Sequence, residues 1–416
     1  MRCTGVAPPT PWSAGVAHTA LRTALVLLGC VTPAAEGREG NVLIPYAALN
    51  LTIDNNLFRL PADVDARLVA GRGERGDVIE TAQAGLRADR LIGRQRLSFD
   101  ISANRTRYNT YGYLNADLVN ASGTWTWQLG HDLGGEVGSD RLQSLTGFSD
   151  IRSAARNVTT SRVDRATAHY DLDPSWRVIG GAYQTTVQNS SPERIGGNFK
   201  AEAVEGGASY LPASGNRITV RGRSTRASYP NRQFLFGVSV SNDYTQDDVE
   251  VEAYQQVSGH SVLSALLART RRHYPDLQQR DFNGYTGRAN WDWQASGKTL
   301  LTLGWKREIG AYQDTTNNYI VTDAVSLTSV YQAGFKTRLQ GRLESKERRY
   351  LGDPGFVLSS APRRDDRINS IALTLSHDLT RAAQVTGTVQ RELRVSNTNG
   401  FNYADTTGTL SLQLTW

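Results

Sequence analysis

The twelve residues TRLQGRLESKER, Thr337 to Arg348, put Leu339, Gly341 and Leu343 on one parity and Arg338, Gln340, Arg342, Glu344, Lys346 and Arg348 on the other. Successive side chains of an extended strand point to opposite faces, so this period of two describes a sheet whose faces meet different surroundings. The pattern recurs. Ile218 and Val220 oppose Arg217, Thr219, Arg221 and Arg223, while Val249, Val251 and Ala253 oppose Asp248, Glu250, Glu252 and Tyr254. Along the chain an alternating run, a tight turn, a second run and a longer polar loop follow one another repeatedly. Tight turns fall at His131–Asp132, Asp173–Pro174, Ser258–Gly259 and Ser296–Gly297. Counting runs from residue 45 to residue 416 gives eighteen strands. The weakest pair is 79–89 and 95–108, whose first member would also suit a loop or an inward plug.

Alternation fits two architectures. In a soluble sandwich the apolar face turns inward and the polar face meets water. In a membrane barrel the apolar face meets lipid and the polar face lines the lumen. Three features favour the barrel. The polar faces carry charges of both signs in close succession, suited to a wet wall where neighbouring strands pair them. Turn lengths are asymmetric, with long segments such as Ser144–Thr160, Tyr229–Tyr244 and Tyr350–Arg363 between the tight turns. Trp125, Trp127, Trp176, Trp291 and Trp293 gather beside the tight turns, as an interfacial girdle would require. The third feature is TGTLSLQLTW at Thr407–Trp416, where Leu410, Leu412, Leu414 and Trp416 share a face. Such a strand is expected to pair with the first strand and leave no open edge.

With 21% charged residues and no apolar run near twenty residues after position 40, a helical span is excluded. Residues 1–34 read as an export signal, with Arg22 before TALVLLG and small residues in VTPAAEG. A lipoprotein reading at Cys30 is disfavoured by Leu28. Residues 35–44 would be a short periplasmic segment and 45–416 the barrel. Both cysteines, Cys3 and Cys30, fall in the signal, so a mature chain would have no thiol chemistry. Removing Arg2 and Arg22 leaves 44 basic against 40 acidic residues, with no basic block to suggest nucleic-acid binding. GRGERG at Gly71–Gly76 lacks the lysine of a phosphate loop. The histidines are scattered, with no pair at zinc-ligand spacing. Ser376, His377 and Asp378 are consecutive, and successive strand residues face opposite ways, which argues against a triad. His169 is the other histidine well inside a strand. The reading is therefore of a non-enzyme without cofactor or metal.

DNNLFRLP (Asp54–Pro61), YPNRQ (Tyr229–Gln233), QDDVE (Gln246–Glu250), RDFNGYTGRANWDWQASGKT (Arg280–Thr299) and the aromatic end together resemble the EpsL-type outer-membrane proteins of exopolysaccharide biosynthesis clusters. Those clusters often accompany exosortase systems, and the proteins are similar to a wider β-barrel porin group. The similarity spans nearly the whole mature chain. DNNLFRLP is its most specific element. The resemblance implies a route for an exopolysaccharide chain across the bacterial outer membrane, with a periplasmic polysaccharide export protein as a partner. The terminal strand resembles the signal read by the barrel-assembly machinery, carried here by Leu410, Leu412, Leu414 and Trp416.

The expected fold is an all-β, transmembrane antiparallel up-and-down barrel of about 16–18 strands, embedded in outer-membrane lipid, with short periplasmic turns and longer extracellular loops. Barrels of this size leave an aqueous channel. Candidate lumen residues are Arg217, Arg221, Arg223, Glu250, Glu252, Tyr254, Arg338, Arg342, Glu344 and Lys346. A moving polymer needs many weak contacts and no deep well. Arginine and glutamate can exchange bonds with sugar hydroxyls and uronate carboxylates. The competing reading is a general diffusion porin for small solutes, in which a long loop such as Ser144–Thr160 folds inward as a constriction.

Overall fold

Each alternating run pairs with the next, and the last pairs with the first. A computed structural model describes residues 42–150, 153–235, 238–311, 319–351 and 363–416. The export signal proposed for residues 1–34 lies outside them, as do positions 35–41 and most of the loop after Tyr350. The strands are β1 (Val42–Asp54), β2 (Asp77–Ile92), β3 (Gln95–Tyr108), β4 (Ala116–Leu129), β5 (Leu133–Leu145), β6 (Val158–Asp171), β7 (Trp176–Asn189), β8 (Phe199–Tyr210), β9 (Arg217–Ser228), β10 (Gln233–Leu235), β11 (Val238–Val240), β12 (Tyr244–Ser258), β13 (Ser261–His273), β14 (Phe282–Ser296), β15 (Thr299–Ala311), β16 (Tyr319–Gln332), β17 (Thr337–Leu351), β18 (Asp365–Asp378), β19 (Ala383–Ser396) and β20 (Tyr403–Thr415).

β10 and β11 form a separate loop hairpin, and the other eighteen make one closed antiparallel sheet. Closure runs from Tyr46 opposite Thr415 to Asp54 opposite Thr407. With the edges joined, the wall has no open strand edge, the condition for exposing a sheet to hydrocarbon. The parity rule holds around the ring. Leu49 and Leu51 lie opposite Leu412 and Leu410 on the outer face, where Leu49 is 61% and Leu410 is 56% exposed. A soluble sandwich would bury these side chains. An apolar exterior repeated on nearly every strand is stable only in lipid, and this decides between the two architectures.

Eight connections of two to six residues lie at one end, together with the start of β1 and the end of β20. Nine connections of six to 22 residues lie at the other. Trp125, Trp127, Trp176, Trp291 and Trp293 all sit on the short-turn end. Trp291 and Trp293 stack with ring centroids 6.1 Å apart. Trp127 lies over Gly135 so closely that a Cβ there would meet its ring at 2.5 Å, which is why a glycine interrupts β5. Tyr170, Tyr210 and Tyr331 are exposed at the same end, which the tryptophan pattern did not reveal.

The sequence departs from the structure in three places. β1 begins at Val42, inside the segment expected to be periplasmic. The run 79–89 is neither loop nor plug but the middle of β2. The alternating run that the sequence suggests over 111–127 opens with a 3-10 turn at Gly112–Leu114, and β4 starts only at Ala116. Tyr111 is instead buried in a cluster with Leu57, Phe58, Leu60, Ala66, Leu114 and Phe148. This cluster sits at the long-loop end and unites three connections: 55–76 (L1), 109–115 (L2) and 146–157 (L3). L1 carries one short helix, α1 (Ala66–Ala70), whose N-cap Asp65 accepts from the Arg67 amide at 2.9 Å.

Candidate functional site

The ten candidate lumen residues fall in two patches of the inward face. On β9 and β12, Arg221 meets Glu250 at 2.5 Å and Glu252 at 3.4 Å, while Arg217 meets Glu252 at 3.2 Å. Arg223 pairs with Glu205 on β8, which also accepts from the Tyr183 hydroxyl at 2.7 Å. The Arg223 guanidinium lies 5.0 Å from the centroid of the Tyr183 ring. These residues come together because β8, β9 and β12 are adjacent and their inward positions fall in register, Arg223 opposite Glu205 and Arg221 opposite Glu250. Tyr254 continues the same face of β12 toward the short-turn end.

The second patch is on β17, five strands further round. Glu344 accepts from Arg342 at 2.7 Å and from Lys346 at 2.8 Å. Arg338 shares this face, opposite Ser376, and has no carboxylate partner among the described residues. The ten candidate wall residues thus occupy two separate stretches of one lumen and do not converge on a point.

One loop reaches the opposite wall. L3 leaves the wall between β5 and β6, yet Asp150 near its tip receives a hydrogen bond from Arg348 on β17 at 2.7 Å. β17 stands eight strands from β5 in a ring of eighteen, nearly opposite. Arg394 on β19 donates to the Ser149 carbonyl at 2.6 Å and to Asp150 at 3.2 Å. It also binds Asp366 on β18 and reaches the Tyr350 hydroxyl at 2.9 Å. Arg364 joins Asp366 at 3.1 Å. At its root the loop is held by Phe148, whose ring centroid lies 4.7 Å from that of Phe58 in L1. Held at Phe148 and at Asp150, the described first half of L3 reaches across the lumen to the far wall. Burial opposes the charge on Asp150, but Arg348, Arg394 and Arg364 outweigh it and hold the carboxyl below its ordinary range.

Sequence reasoning placed Arg348 on a polar face and L3 among the long loops, but missed Asp150, Asp366 and Arg394 as a unit. Parity does put Asp366 and Arg394 inward, a signal that was present. Among the described residues Ser376 and His377 do not pair. The Ser376 hydroxyl accepts from Thr386, and His377 shares a 2.8 Å bond with Thr337 instead of turning to Ser376.

These features define an outer-membrane-type β-barrel of eighteen strands with a charged lumen and an inward-folded loop. Two solved structures share this fold with a TM-score of 0.50 each. One is Pseudomonas aeruginosa OccK2 (OpdF) in complex with glucuronate, 11% identical, covering 89% of this chain and 97% of its own. The other is Pseudomonas aeruginosa OpdK with vanillate, 10% identical, covering 90% of this chain and 99% of its own. No family model matches the sequence, and no curated protein does.

Proposed function

We propose that the protein is a passive outer-membrane channel for small polar solutes, with L3 as its size filter. The observation that carries this reading is Asp150 bound to Arg348 and Arg394 on the far wall. A loop tied across the lumen divides it and leaves openings suited to single small molecules, whereas a polymer would have to displace it. Two barrels of the same fold hold glucuronate and vanillate, both small carboxylates, which makes these compounds the natural first solutes. The test is single-channel conductance in planar bilayers with uptake of each solute into liposomes. Steady conductance with uptake of small solutes supports the reading. A barrel with no conductance and no uptake overturns it.

The exopolysaccharide-export reading keeps one observation in its favour. Arg217, Arg221, Arg223, Glu250 and Glu252 form a continuous run of paired, exchangeable hydrogen-bonding groups along the wall, the type of track a sliding sugar chain would use. It requires L3 to swing aside. Transient block of the open channel by polymer added on one side, together with loss of surface polymer on deletion and unchanged small-solute uptake, would favour it over the first.

A further inference from the structure

Beneath the connection between β9 and β12, two guanidiniums are buried without a carboxylate. Arg272 on β13 is 2% exposed and Arg280 in the β13–β14 connection is 5% exposed. Neither makes an ion pair among the described residues. Arg272 donates from Nε to the Gln246 side-chain oxygen at 2.7 Å and from Nη1 toward the Tyr274 hydroxyl at 3.5 Å. Its Nη2 is buried with no acceptor. Arg280 donates from Nη1 to the Asn242 side-chain oxygen, and its Nε has no acceptor. Asn242, 4% exposed, has a buried and unpartnered Nδ2. Three N–H groups from three chain segments are therefore desolvated and unspent, in a structure where such groups normally find partners.

The contrast with the rest of the lumen is informative. Arg165, Arg221, Arg223 and Arg348 each meet a carboxylate. Around Arg272 and Arg280 the acids are otherwise engaged. Asp248 accepts from Thr270 and from the Gln246 amide. Asp243 and Asp276 accept backbone amides of Tyr229 and Ser241, and Asp281 takes the Tyr274 amide and His273. Aromatic rings close the space. Tyr244 lies 4.3 Å below the Arg272 guanidinium and 5.4 Å from Tyr274. Burial pulls Arg280 below its ordinary value, with only the nearby tyrosines opposing, as befits a cation with no anion at hand. Two positive charges with three donors left unpartnered call for a negatively charged acceptor, and a guanidinium matches an oxyanion in shape as well as charge.

We propose that Arg272, Arg280 and Asn242 form a binding site for a small oxyanion at the extracellular mouth of the barrel. A carboxylate and inorganic phosphate share the required chemistry. The site does not depend on the channel reading, because binding is measured without transport. Thermal unfolding of the full-length barrel in detergent is followed while sodium acetate or sodium phosphate replaces sodium chloride at constant ionic strength. The expected result is a saturable upward shift of the midpoint with one or both oxyanions. Whichever acts identifies the ligand class. Arg272→Gln removes a fully enclosed strand residue and is expected to impair folding, so Arg280→Gln and Asn242→Leu carry the test, and each should abolish the shift. No shift with either oxyanion, an equal shift on adding chloride alone, or a shift retained in both variants overturns the site.

Discussion

Asp150 and Arg348 are 198 residues apart in sequence and on nearly opposite sides of the barrel, yet they meet at 2.7 Å. The contact fixes where L3 lies. Arg394, which holds the same carboxylate from β19, is fully enclosed and also bound to Asp366.

Releasing the tip of L3 should widen the pore. Asp150→Ala is expected to raise single-channel conductance and add open-state noise, because among the described L3 residues Arg348 and Arg394 then keep only the Ser149 carbonyl. Arg348→Gln should give a smaller change in the same direction. Unchanged conductance in both variants would show that L3 is held by its root alone.

Removing Arg394 should cost far more than removing Asp150. Arg394→Met leaves the Asp366 carboxylate in an enclosed position with one cation fewer, and breaking a buried pair from one side costs about 3–5 kcal/mol. Urea unfolding of the barrel in liposomes measures the difference. A loss below about 1 kcal/mol would mean that water reaches the cluster and that the pair is screened.

The effect of acid follows from the direction of the Asp150 shift. Its carboxyl is held below the ordinary value of 3.8. The contact is therefore present above that value and is lost only as pH falls through the lowered one. The conductance difference between the wild type and Asp150→Asn should persist from neutral pH down to about pH 4 and disappear only on further acidification. A difference that fades between pH 6 and pH 5, roughly two units above an ordinary aspartate, would contradict the assignment.

The outer and inner faces should tolerate charge differently. Leu410→Arg places a cation in lipid at a cost of about 2–4 kcal/mol near the midplane. Ser411→Arg, one position along β20 and opposite Asn50 and Thr386 on the lumen side, should cost much less. Folding yields into lipid vesicles would rank the two, and equal losses would mean that the parity is misassigned.

Arg59 tests the closure of the barrel. It has φ of 55°, the only positive value on a residue other than glycine among those described. Its guanidinium bridges Asp54 on β1 and Asp405 on β20, at 3.0 and 3.1 Å. Arg59→Ala should destabilise the barrel by about 3–5 kcal/mol, leaving two acids facing each other. Arg59→Gly should be milder by about 1 kcal/mol, since glycine adopts the left-handed conformation freely. Reversal of that order would show that backbone strain contributes nothing there.

Much of the wall was legible because each strand separates two solvents. Strict alternation in β9, β12 and β17 reports that division directly, and it places Arg221, Glu250 and Glu344 on the wet side. The β10–β11 hairpin escaped notice because three residues are too few to show a period. Tyr111 misled the assignment of β4, as an aromatic before an alternating run looks like strand while its ring is buried under L1. The ion pairs between strands were beyond reach for a different reason. Arg223 meets Glu205 only in one register, and parity is blind to a shift of two. Asp150 carried no local signal at all, its partners being fixed by the curvature of the whole ring.

That blindness gives DNNLFRLP a meaning beyond resemblance. A slip of two residues between β1 and β20 would keep every leucine toward lipid and Thr52, Thr407, Thr409 and Thr415 toward water, so hydrophobic sorting could not reject it. The loop segment can. The Asn55 amide donates to the Thr406 carbonyl at 3.2 Å, the Asn55 side chain accepts from the Thr406 amide at 2.8 Å, and Asn56 reaches the Ala404 carbonyl at 3.0 Å. Displaced by two positions, about 7 Å along the strand, all three bonds and the Arg59–Asp405 bridge are lost together. The contacts of this motif therefore favour one alignment of the two edges over its nearest plausible neighbours.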